Sequence, residues 1–167
     1  MEAARILSDY STKYTLLFAL WDLEEVGLIG SMDYARRARA SADSIVGVID
    51  IEMLGWDSND DGLIDIHTNN IGQSLKEADT TTYVLNAYKL PLKYRIYNPG
   101  TYGSDHGSFW MYDYSAIVFS EAYYGGDFNT HYHSQEDKVE YITPKYFLNC
   151  AKLAMGVIST LVMAGPQ

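Results

Sequence analysis

Cysteine occurs once in 167 residues, as Cys150, so no internal disulfide can staple the chain and the redox compartment stays open. Proline is scarce at four residues, and no repeat or low-complexity tract is present. Cationic residues are also few: 12 Lys and Arg stand against 22 Asp and Glu, for a formal charge of -10. That balance repels phosphate backbones and offers no basic stripe, which argues against a nucleic-acid partner. A long uninterrupted apolar run is missing too. Lys152 breaks "FLNCAKLAMGVISTLVMAG" into pieces shorter than the ~20 residues a membrane span needs, so this segment is expected to be a buried terminal helix, with no membrane partner. The opening "MEAARILSDYSTKY" carries Glu2, Arg5 and Asp9 at helical spacing. It reads as a helix and lacks the apolar core of a signal peptide.

What remains is a chain 47% hydrophobic and 20% charged, long enough for a single domain, residues 1–167, with its own core. The pattern alternates. "TLLFALWD", "SIVGVIDIEMLG", "LIDIHT", "KYRIYN" and "SAIVFSEA" read as strands; "SMDYARRARAS", with Ser31 as its N-cap, "SLKEADTTTYVLNAY" and "HGSFWMYD" read as helices. Strands alternating with helices imply a mostly parallel sheet covered on both faces, and ligands bind beyond the carboxyl ends of such strands. Tyrosine is abundant at 15 residues, many between positions 94 and 146, where a cleft lining is expected.

Several acids and histidines fall at those strand ends. Glu24 and Glu25 follow the first strand, Glu52 closes the second, Asp105 precedes a helix in "YGSDHGSFW", and His131 and His133 lie in "THYHSQEDKVEYI". Taken singly each has an ordinary reading. An acid pair after a strand suits a helix N-terminus, and a His-x-His suits a polar loop. Glu52 is harder to dismiss, because a carboxylate within an apolar strand is costly unless it is paired or metal-bound. Together, carboxylates and imidazoles gathered on one edge repel unless a cation or proton lies among them, and histidine favours a transition metal.

In order and spacing, "FALWDLEEVGLIGS", "GVIDIEMLGWD", "GSDHGSFW" and "YHSQEDKVEYI" resemble the signatures of the co-catalytic zinc aminopeptidases, the family that includes relatives of glutamate carboxypeptidase and glutaminyl cyclase. The resemblance implies a three-layer α/β/α sandwich around a mostly parallel mixed sheet, of the phosphorylase/hydrolase-like type. It also implies zinc at the strand ends and removal of N-terminal residues from peptides. Carried over, it makes Glu24 the general base, Glu25 and His133 ligands of one zinc, and Tyr132 the group that polarises the scissile carbonyl. Glu52 stands where the family has an aspartate ligand to the other zinc, and Asp105 and His106 belong to the motif beside the site.

The resemblance departs at one place. The family's His-x-Asp strand end, and the loop whose aspartate bridges the two zincs, would lie before Met1. The expectation is therefore an N-terminally truncated sandwich that binds at most one zinc through Glu25, Glu52 and His133, with impaired or absent turnover. Two other readings stay open: a non-catalytic binding or assembly module of the same fold, and a glutaminyl-cyclase-like acyltransferase. An exposed sheet edge would favour a homo-oligomer. The family also favours an extracytoplasmic or secreted location. Separately, Asp57, Asn59, Asp61 and Asp65 in "DSNDDGLID" match positions one, three, five and nine of a calcium loop with Gly62 at its turn. Thr68 at position twelve lacks the bidentate acid, and an ordinary acidic turn is the competing reading.

Overall fold

The computed structural model describes residues 2–163. Four strands form one sheet in the order β1 (Ile49–Glu52), β4 (Ile117–Glu121), β2 (Leu63–His67), β3 (Lys93–Tyr97). β1 runs parallel to β4 and β2 parallel to β3, while β4 and β2 pair antiparallel, with Asp65 opposite Ser120 and Ile66 opposite Phe119. The sheet is thus mixed, as expected. Every residue of the central strands β2 and β4 is buried, which fits their continuous apolar sequences. β1 and β3 are edges, and Ile51 on β1 is 53% exposed.

Helices cover both faces. α3 (Ser74–Ala87) and α5 (Pro144–Met163) pack on one core with Ile64, Ile66, Ile117 and Phe119. The buried residues of α5 from Tyr146 to Val157 (Tyr146, Asn149, Cys150, Leu153, Ala154, Val157) recur at the spacing of one helix face, and Val162 is buried near its end. Pro144 opens that helix at the one position where its missing N–H costs nothing. Within this core Cys150 is buried, and burial pushes its thiol up to about 12, so it is inert. On the other face α2 (Ile29–Ala40) and α4 (His106–Met111) enclose Ala35, Ala38, Phe109, Trp110 and Ala116. A short helix α1 (Glu2–Leu7) begins the described chain; Met1 and residues 164–165 of the expected terminal helices lie outside the described residues.

Three expectations need correction. Residues 15–22 form no strand: among the described residues, 15–21 make no backbone hydrogen bond, and Leu17 and Leu20 are 62% and 91% exposed. Their apolar sequence has strand propensity but no neighbouring strand to complete a ladder. Ser31 is not an N-cap. The left-handed Leu28 occupies that position, and Ser31 Oγ lies inside the helix at 3.2 Å from the Leu28 carbonyl and 2.8 Å from Ser108 Oγ. The start is drawn forward by Gly30, whose backbone sits so close to Asp22 that a Cβ would lie 2.7 Å from its carbonyl oxygen. The second strand is also shorter than "SIVGVIDIEMLG" suggests: its ladder with β4 runs over Ile49–Glu52, with single flanking bonds from Ile117 to Val48 and from Glu121 to Met53.

Candidate metallopeptidase site

Beyond the carboxyl end of β1, three segments converge. Glu24 and Glu25 sit in a single 3-10 turn (Glu24–Val26) introduced by Leu23 in the left-handed region, φ 57°. Glu52 ends β1, and Asp105 and His106 open α4. Tyr132 and His133 come from the loop after β4, with His133 itself at φ 55°. That local strain places its ring against Glu25: His133 Nε2 and Glu25 Oε1 are 2.7 Å apart, although 108 residues separate them. The Tyr132 and His133 rings stack with centroids 3.7 Å apart.

Around this pair the charge is one-sided. Partial burial raises the Glu24 carboxyl, and Glu25, Glu52, Asp105 and Asp50 raise it further. Glu52 is raised chiefly by burial. The hydroxyl of Ser104 donates to Glu52 Oε2 at 2.8 Å and opposes the shift, while Asp50, Asp105 and Glu25 reinforce it. Asp105 is raised by burial as well, and its Oδ1 is buried without a hydrogen-bond partner among the described residues. The Tyr132 phenol is raised by burial and then by Glu25, Glu24 and Glu52, so its hydroxyl shares the same acidic space.

Beneath them lies a fixed pair. His106 is fully buried, with Nε2 at 2.8 Å from the Thr101 carbonyl and Nδ1 at 3.1 Å from Asp50 Oδ2, which also accepts the His106 backbone N–H. A carbonyl only accepts, so Nε2 carries a hydrogen; the Nδ1 contact then requires a second proton, on the ring or on Asp50. This pair fixes the start of α4. Asp50 and Ser104 were not singled out from sequence, although Asp50 lies two residues before Glu52, on the same side of the strand by the period-two rule.

The structure brings together Glu24, Glu25, Glu52, Asp105, Tyr132 and His133, with Glu25 and His133 in direct contact. Glu52 is a neighbour of that pair, not a third member: among the described residues no three His, Cys, Asp or Glu side chains gather tightly enough to hold a metal ion. The donor set still suits one cation. An imidazole nitrogen touches a carboxylate, further carboxylates crowd around it without a compensating positive charge, and one buried carboxylate oxygen is unpartnered. His131 faces elsewhere, stacked on Tyr141 at 4.0 Å and edge-on to Trp56.

The calcium-loop reading is not upheld. Asp57 Oδ1 accepts the Asp61 and Gly62 N–H groups at 3.1 and 3.3 Å, Asn59 Oδ1 accepts from Asp61, and Asp61 Oδ1 from Leu63, so these side chains close a turn on its own backbone. Asp65 is buried in β2 and accepts from Tyr124 and Gly125, away from the other three, because entry into the strand carries it into the sheet.

The sequence profile of peptidase family M28 matches residues 1–158. The chain belongs to peptidase family M28. Among curated relatives, a probable zinc metalloprotease of Phaeosphaeria nodorum is 32% identical over 85 residues, spanning 49% of this chain and 17% of that protein. A probable leucine aminopeptidase of Arthroderma otae is 28% identical over 150 residues, spanning 90% of this chain and 40% of that protein. The crystal structure of the LapA aminopeptidase of Legionella pneumophila superposes with a TM-score of 0.84 at 24% identity, covering 99% of this chain and 45% of that one. That likeness confirms the M28 fold. The chain spans less than half the length of each of these relatives.

Proposed function

We propose that this chain carries the site of a zinc-dependent exopeptidase that releases N-terminal residues from peptides. The observation that carries the reading is the 2.7 Å contact between Glu25 and His133, which places a carboxylate and an imidazole from distant segments beside Glu24. Membership of peptidase family M28 supports it, as do relatives described as zinc metalloprotease and leucine aminopeptidase. Glu25 and His133 would hold the zinc ion, with Glu52 as a nearby carboxylate outside their direct contact. When bound, zinc supplies a water of pKa near 7 and polarises the carbonyl.

The chain's own residues account for the proton. Glu24 is next to a ligand but does not share its hydrogen bond, and its raised carboxyl suits a base that takes a proton and passes it to the leaving amine. Tyr132, held by its stack on His133, presents a hydroxyl that can donate to the carbonyl oxygen as charge develops there. The concentration of acids also suits a free N-terminal ammonium, which distinguishes an exopeptidase substrate from an internal peptide bond.

The test separates base from ligand. In the full chain, Glu24→Gln is expected to keep its zinc content and lose at least 100-fold in hydrolysis of a leucine chromogenic amide, whereas Glu25→Gln loses zinc itself. Equal zinc loss in both variants refutes the assignment. Zinc binding by the wild type without any zinc-dependent hydrolysis would favour the binding-module reading.

A further inference from the structure

Glu121 is the last residue of β4 and only 1% exposed, yet no step of the proposed hydrolysis uses it. Its two carboxyl oxygens serve different segments. Oε2 accepts the backbone N–H of Trp56, in the turn that leaves β1, and Oε1 accepts the backbone N–H of Asn129, in the loop that follows β4, both at 3.1 Å. The backbone N–H of Glu121 donates to the Met53 carbonyl at 3.2 Å, one residue beyond Glu52. Asn129 passes the restraint onward: its carbonyl accepts the Tyr132 N–H at 3.1 Å and its Oδ1 accepts the His131 N–H at 2.8 Å, so the turn that presents Tyr132 and His133 closes on Asn129. A single residue thus joins the exit of the strand that carries Glu52 to the loop that carries the imidazole.

An acid at this position has a physical reason. Glu121 is shielded from water, so the two N–H groups aimed at it need protein acceptors. A carboxylate accepts on both oxygens, whereas an amide of the same shape accepts on one and turns its own N–H groups toward the other donor. Burial pushes the Glu121 carboxyl up to about 7; the Asn129 and Trp56 N–H groups oppose that shift, and Asp127 and Asp137 add to it. His133, for its part, is weakly held by its own side chain. Its ring is half exposed, has Glu25 as its one hydrogen-bond partner among the described residues, and sits on a backbone at φ 55°. The restraint that keeps it in place must come through the loop. Building on the peptidase reading, we infer that Glu121 is a positioning residue: through Asn129 and Trp56 it holds Tyr132 and His133 against Glu25 and beside Glu52, and so sets the geometry of the metal site without touching metal or substrate.

Glu121→Gln keeps the volume and removes one of the two acceptors. In the metal-free full chain, amide hydrogen exchange over residues 127–134 is expected to quicken at least 10-fold. Zinc affinity, read by chelator competition, is expected to fall at least 10-fold, the scale on which loss of an outer support weakens metal binding. The visible spectrum of the cobalt(II)-loaded chain, which reports coordination geometry, should change with it. Ser74→Ala is the stability control. The Ser74 hydroxyl oxygen accepts the Ala116 N–H at 3.0 Å, just before β4 and at the far end from Glu121, so its loss should lower the melting temperature and leave all three readings as in wild type. If Glu121→Gln does not fold, Asn129→Ala cuts the same link further out, removing the bonds to His131 and Asp137, and should move exchange and zinc affinity in the same direction. Unchanged exchange in these variants overturns the inference. So does a loosened loop with unaltered zinc affinity, or an equal loss of zinc in Ser74→Ala. A wild-type chain that binds no zinc refutes the peptidase reading instead, and the exchange rates then decide by themselves whether Glu121 holds the loop.

Discussion

Glu77 is the most conspicuous single residue outside the site. It lies on α3 at 2% exposure, against the backbone of Gly47, with both carboxyl oxygens unpartnered among the described residues, and burial pushes its carboxyl up to about 8. An unfolded chain gives up that proton near pH 4.5, while the folded one keeps it to about 8. Stability is therefore lost as pH rises through this window, by up to about 5 kcal/mol. Glu77→Gln keeps the shape and removes the ionisation. Its melting temperature is expected to match wild type near pH 4.5 and to exceed it clearly at pH 8; equal melting at pH 8 would show that Glu77 ionises freely. A second residue-scale expectation concerns His133. Its ring is half exposed and holds one partner, so His133→Ala should leave the fold intact yet abolish the stabilisation that zinc confers, about 2.7 kcal/mol at a hundredfold excess over Kd. A zinc-induced shift that survives the substitution would move the metal elsewhere. Sequence made this half of the site legible, because Glu24, Glu25 and His133 stand in ordered motifs. It hid Glu77, Ser104 and Asp50, whose importance comes from what the fold packs against them: a glycine backbone, a carboxylate and an imidazole.

Elements were readable where their own side chains decide the structure. β2, β4, α3 and α5 carry apolar spacings that define a buried strand or one helix face, and they lie within a few residues of expectation. Residues 15–22 failed that test because strand formation depends on a neighbour, which no apolar spacing encodes. The Trp56–Gly62 turn was misread for a related reason. Its acids suggested an ion, but the partners are backbone N–H groups and Asp127. Asp127 accepts from Trp56 Nε1 at 2.9 Å, from the Ser58 N–H at 2.7 Å and from the Ser58 hydroxyl at 2.6 Å, tying the loop after β4 to the turn after β1. Asp127→Ala should leave these donors unmatched and cost about 2–3 kcal/mol in denaturant unfolding. Addition of millimolar calcium should not change that loss; rescue by calcium would restore the ion-loop reading.

At the scale of the molecule, the site draws on segments far apart in sequence, and this bounds its metal capacity. Of the two histidine–carboxylate contacts at the site, His106 with Asp50 is buried and its other ring nitrogen is tied to the Thr101 carbonyl, which leaves Glu25 with His133 as the exposed one, so plasma emission analysis of zinc-loaded chain is expected to find no more than one zinc per 167 residues. Two would require donors that the described residues do not bring together. The order of strands in the sheet has a further consequence, for the chain as it is made. β1 pairs only with β4, and β2 reaches β1 only through it, so neither Ile49–Glu52 nor the carboxylate at its end can settle until Ile117–Glu121 has left the ribosome. During that interval the apolar residues of β1, Ile49 and Ile51, travel without their partner strand, which makes the nascent protein a candidate client for chaperones that shield hydrophobic segments.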